Sequence, residues 1–153
     1  MKTEATPCLI CAGEQASPDA VVFRDEHWAG EVVPGYEVPG WVILRTRRHA
    51  ERITALNDDE LTSFGPRARD LVAAVSEVMD APTTYLMVFG ENYPHFHVLV
   101  APRGADVPIG RRGGDILRLR DEFADLGAAH AVVPMVRAAY DARVSPPPGP
   151  TAT

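Results

Sequence analysis

The 153-residue chain has two cysteines, no run of eighteen apolar residues and no excess of basic charge, and each shortage excludes a class of protein. Without the long apolar run there is no sequence candidate for a membrane-spanning helix. The opening "MKTEATPCLIC" holds one lysine and no apolar stretch of secretory-signal length, so a soluble, cytoplasmic protein without membrane partners is expected. A formal net charge of −6 argues against a binder of long nucleic acids, although a local cluster such as Arg45, Arg47 and Arg48 can hold a single phosphate group. Two cysteines make no disulfide framework, and a domain of this length needs none.

What is present suits one core. The 46% hydrophobic content supports a single domain over residues 1–143, followed by a proline-rich tail over 144–153 that is expected to be disordered. "AVVFRDEHWAGEVV" carries two short β-prone runs, and "GWVILRT" is a third strand entered through the turn pair Pro39-Gly40. Asn57 is placed to cap a long amphipathic helix whose Leu61, Phe64, Ala68, Leu71, Val75 and Val78 recur at helical spacing, with Gly65-Pro66 expected to bend or interrupt it. "TTYLMVF" and "PHFHVLVA" read as a hairpin, and "DILRLRDEFADL" and "AAHAVVPMVRAAYDARV" as C-terminal helices, the second interrupted at Pro134. Strands, a helix, strands and then helices predict an α+β fold with a mostly antiparallel sheet.

The hairpin's second strand raises the functional question, because "PHFHVLVA" puts two histidines two residues apart. Period-two alternation places His95, His97, Leu99 and Ala101 on one face and Phe96, Val98 and Val100 on the other. Cys8 and Cys11 have the spacing at which two thiolates grip one tetrahedral zinc, and a half-site of that kind needs two more ligands. His49, after the "WVILRTRR" strand, and His95 are candidates for a Cys₂His₂ set. Plain thiols or a redox pair remain open for the cysteines, although no strand precedes them as the redox motif requires. His49 by itself also reads as an ordinary polar surface residue.

"GENYPHFHVLVAPR" resembles the signature of the histidine-triad superfamily of nucleotide hydrolases and transferases, His-x-His-x-His followed by two apolar residues. Gly90, Pro94, His95, His97, Pro102 and Arg103 match it without a gap. "PGWVILRTRRH" resembles the family's turn, apolar strand and basic pair ending in histidine, so the likeness runs from about Cys8 to Arg103. The resemblance implies that Cys8, Cys11, His49 and His95 bind a structural zinc and that His97 is the nucleophile that attacks phosphorus. It further implies a nucleotide-like small-molecule substrate and a homodimer, with the long helix and "TTYLMVF" as interface candidates.

The chain departs from that pattern at named positions. The third histidine is Leu99, which neither donates a hydrogen bond nor passes a proton. Glu91 stands near a phosphate-contacting glutamine of the hydrolases and is a candidate proton donor, while Glu31 and Val32 occupy the region of the ribose-binding aspartate. Arg103, Tyr93 and Trp41 are candidate substrate contacts. The expected activity is hydrolysis or transfer on a phosphate-linked small molecule through a covalent His97 intermediate. Two alternatives stand beside it: a zinc-stapled binding protein with a degenerate site, and an enzyme of specialised metabolism using the same pocket for non-phosphate chemistry.

Overall fold

The computed structural model describes residues 7–144; residues 1–6 and all but the first residue of the expected 144–153 tail lie outside the described residues. Five strands, β1 (Val21–Arg24), β2 (Trp28–Glu31), β3 (Val42–Thr46), β4 (Thr83–Met87) and β5 (His97–Arg103), form one antiparallel sheet in the order β1-β2-β3-β5-β4. Between β3 and β4 runs the long helix α1 (Asp58–Val78), and after β5 come a 3₁₀ segment (Gly113–Arg118), the short α2 (Leu119–Glu122) and α3 (Leu126–Val144). The chain is therefore α+β, with a meander, a helix, a hairpin and C-terminal helices.

Alternation along β5 sorts two cores. Val98 and Val100 pack with Val42 and Leu44 of β3 beneath Leu71, Ala74 and Val75 of α1 and Val133 and Val136 of α3. Leu99 and Ala101 face the other way, onto Trp41 and Ile43, and are covered by Ile116 and Leu119. The face that carries His97 is thus roofed along Leu99 and Ala101, and its two ends, His97 and Arg103, stay partly exposed. His95 does not belong to β5; it sits in a bend two residues ahead of it, where the Phe96 N–H donates to the Ala50 carbonyl.

Asn57 caps α1 with a reciprocal box: its side chain accepts from the Glu60 N–H at 2.9 Å, and the Glu60 carboxylate accepts from the Asn57 N–H at 3.1 Å. Glu60 rather than Leu61 takes the inward position, leaving Leu61 exposed, because the carboxylate is held inside by the cap and by Arg48. Neither proline interrupts its helix. Pro66 lies on the solvent side of α1, and packing on either side of Pro66 and Pro134 carries both helices through. "DILRLRDEFADL" yields the end of the 3₁₀ segment and then the single turn of α2 rather than one continuous helix.

Candidate metal centre and active site

Two glycines let the N-terminal segment and the β3 entry pack closely. A Cβ on Gly13 would lie 2.1 Å from Glu31 Oε2, and one on Gly40, at φ +85°, would lie 2.6 Å from Met79. Glu31 is buried and accepts from Arg45 at 2.8 and 3.0 Å, while Arg45 and Arg47 both bind Glu14 of the 3₁₀ turn after Cys11. This network ties the cysteine turn to the sheet. It also corrects one expectation: Arg45 and Arg47 are paired with Glu14, and Arg48 with Glu60, so the trio is not a phosphate cluster.

The tethered turn brings Cys8 and Cys11 to His49 and His95, with one donor atom from each lying within 4.8 Å of the others. Cys11 Sγ is 3.2 Å from His49 Nδ1 and 3.3 Å from His95 Nδ1; Cys8 Sγ is 3.6 Å from His95 Nδ1. Zinc bonds of about 2.3 Å to sulfur and 2.0–2.1 Å to nitrogen put tetrahedral S and N donors about 3.5 Å apart. The tautomer fits as well. His95 Nε2–H donates to the Thr46 carbonyl at 2.7 Å, so Nδ1 keeps its lone pair toward the sulfurs. Burial lowers the His95 pKa, favouring the neutral ring a metal needs, and also raises that of the Cys11 thiol, with a further push from Cys8. The Cys11 N–H donates to Cys8 Sγ at 3.3 Å, which fixes that sulfur against the turn.

His97 is built differently. Its Nδ1–H donates to the His95 carbonyl at 2.6 Å, so the lone pair sits on Nε2. The ring lines a cavity of ≈ 250 Å³ over Ile43 and Leu99, bounded by Met87, by the 89–93 loop, by Tyr36, and by Leu117 and Arg120 of the C-terminal segment. Of the expected contacts, Glu91 and Tyr93 line this cavity, and the Tyr93 ring centroid is 6.3 Å from that of His97. Trp41 is packed in the core. Arg103 lies six residues along β5, about 20 Å from His97 at 3.3 Å per residue, and bonds Thr83 and the Gly104 carbonyl. A second cavity of ≈ 260 Å³ lies near Leu9, Val32, Val33 and His130, and its buried acid, Glu31, is engaged by Arg45.

No family model matches the chain, and no curated protein matches its sequence. Solved structures do match. A hypothetical histidine triad nucleotide-binding protein from Sulfolobus tokodaii superposes with a TM-score of 0.69 at 14% identity, over 88% of this chain and 92% of its own. A zinc-bound histidine triad family protein from Mycobacterium smegmatis gives 0.61 at 18% identity, over 87% and 92%. The diadenosine triphosphate hydrolase of Plasmodium falciparum gives 0.64 at 11% identity, over 85% and 82%.

The chain has the histidine-triad fold.

Within that fold Leu99 occupies the position beyond His97 on the same face, only 3% exposed, and it turns the cavity floor apolar. Tyr36, Leu117 and Arg120 escaped the sequence reading. The three-residue spacing of Leu117 and Arg120 marks one side of a helical turn, but nothing local says which part of the histidine-triad sheet that side covers.

Proposed function

We propose that the protein hydrolyses or transfers a phosphate-linked small molecule, nucleotide-like in substrate class, through a covalent intermediate on His97. The observation that carries this reading is the His97 ring itself: Nδ1–H is held by the His95 carbonyl, which leaves the imidazole lone pair on Nε2, and the ring lines a cavity. His97 Nε2 attacks phosphorus, the P–N bond forms, and the P–O bond to the leaving group breaks with its electron pair going to oxygen. Glu91, at the rim, delivers the proton to that oxygen and takes one from the water that then cleaves the P–N bond, freeing His97.

Cys8, Cys11, His49 and His95 hold zinc in this reading. Four protein ligands leave no open position, so the ion supplies structural rigidity and not Lewis acidity. The edge strand β4, with Leu86, Val88 and Phe89 exposed along and beyond it, supports pairing of two chains as a homodimer. Among the described residues, no helix is long and apolar enough to cross a membrane.

Leu99 and the apolar walls favour a second reading, a zinc-stapled binding protein in which His97 contacts ligand without reacting. Intact-protein mass spectrometry separates the two after incubation of wild type and His97→Ala with nucleoside phosphoramidates and dinucleotides. A nucleotidyl-sized adduct, or product, that is lost with His97 is the expected result. Tight nucleotide binding with neither adduct nor product would replace catalysis by the binding reading.

A further inference from the structure

We propose that Arg120 is an anion clamp, and that the ligand of the His97 cavity presents it with an oxyanion such as a phosphoryl group beside an apolar face. This rests on reading that cavity as a ligand site and not on His97 being a nucleophile. The arginines around the cysteine turn and the α1 cap are neutralised: Arg45 and Arg47 bind Glu14, Arg45 also binds Glu31, and Arg48 binds Glu60. Arg120 has no carboxylate partner among the described residues, and it lines the cavity. Glu91 lines the same cavity and makes no ion pair with it.

The guanidinium is nonetheless held in place. Its Nε–H donates to the Gly35 carbonyl at 2.8 Å, and its central carbon stands 4.0 Å from the Tyr36 ring centroid. A hydrogen bond at one edge and an aromatic face beneath set the plane of the group, while neither terminal nitrogen donates to a partner among the described residues. A planar fork fixed in this way suits bidentate capture of an oxyanion, with little ordering left to do on binding. Ile43, Met87, Leu99 and Leu117 supply the apolar remainder. Such walls receive an apolar face of whatever group carries the anionic head.

Phenylphosphonate is a probe with both features, and benzyl alcohol is the matching neutral one. Each is titrated into full-length, zinc-loaded protein while the His97 ring resonances are followed by NMR, in wild type, Arg120→Gln and Arg120→Lys. The expected result is that phenylphosphonate shifts the His97 signals and binds at least tenfold more weakly to Arg120→Gln. Arg120→Lys falls between, since it keeps the charge and loses the fork, and benzyl alcohol binds all three alike. Equal phenylphosphonate affinity in Arg120→Gln, or no His97 shift in wild type, would overturn the clamp. Equal weakening of both probes would overturn it too, by reducing Arg120 to a prop for the C-terminal segment. These are binding readouts, so the clamp and the covalent His97 adduct can each fail while the other stands.

Discussion

His95 and His97 are the same residue type two positions apart, and they occupy opposite environments. His95 is 1% exposed, lies outside the strand, and turns Nδ1 toward two sulfurs because Nε2 is committed to the Thr46 carbonyl. His97 begins β5 and is half-buried; its Nδ1 is committed to the carbonyl of His95, which leaves the lone pair on Nε2 of a ring that lines a cavity. In both rings a backbone carbonyl selects the tautomer, and what differs is which nitrogen it selects. The two sites are also joined: one residue offers its ring to the cysteine cluster and its carbonyl to the neighbouring imidazole. Order at the Cys₂His₂ cluster thereby reaches His97 through the hydrogen bond to the His95 carbonyl.

The largest effect should come from cutting that link at His95. His95→Ala removes a buried ligand and its packing, at a cost of about 3–5 kcal/mol, or roughly 10 °C in Tm for a domain of this size. Metal analysis should fall from one zinc per chain to none, and activity should fall with it. His97→Ala is the counterpart: turnover down by about 10³-fold or more, zinc content and Tm nearly unchanged. Loss of zinc from His97→Ala, or retention of zinc by His95→Ala, would mean that the division of labour between the two rings has been drawn wrongly.

Part of this comparison was legible in the sequence. Period-two alternation placed Val98 and Val100 on one face and Leu99 and Ala101 on the other, because side-chain direction in a strand is a local property. The Asn57 cap was readable for the same reason. Leu61 was misplaced, since the spacing could not show that Glu60, held by Arg48, would take the inward position. Arg120 and Tyr36 reach the His97 cavity only through tertiary docking of the C-terminal segment. The pairing of Arg45 with Glu31 fourteen positions away is set by the register of β2 against β3, which composition does not encode.

An intermediate effect tests the apolar floor of the cavity. Leu99→Gln returns a hydrogen-bonding side chain to the face that His97 occupies, two residues along the strand. Buried among Trp41 and Ile43, the amide should cost about 1–3 kcal/mol in stability, measured by urea unfolding. If turnover in the wild type is limited by the missing donor, the variant should gain roughly tenfold or more in kcat on a phosphoramidate substrate. A variant that folds, keeps zinc and gains nothing would assign the limitation to substrate fit instead of proton delivery.

The smallest effect probes the exposed side of the Cys₂His₂ cluster, where His49 follows Arg48. Arg48 donates to the Glu60 carboxylate at 2.7 and 2.9 Å and so links the His49 segment to the α1 cap. The Arg48 hydrogen bonds, and then that from the Asn57 N–H, hold the Glu60 pKa below its ordinary value against the opposing effect of burial. A carboxyl depressed on folding contributes stability above its unfolded pKa of about 4.3, and that contribution is lost as pH falls through the lower folded value. Glu60→Gln should therefore cost about 1 kcal/mol at pH 7, a modest figure because Arg48 is half exposed, and the gap to wild type in urea unfolding should close on acidification. Zinc should be retained at pH 7, since the buried His95 and the two cysteines keep their places. Loss of zinc in this variant would shift control of the metal centre from the buried imidazole to the exposed one, and with it the origin of the order that reaches His97.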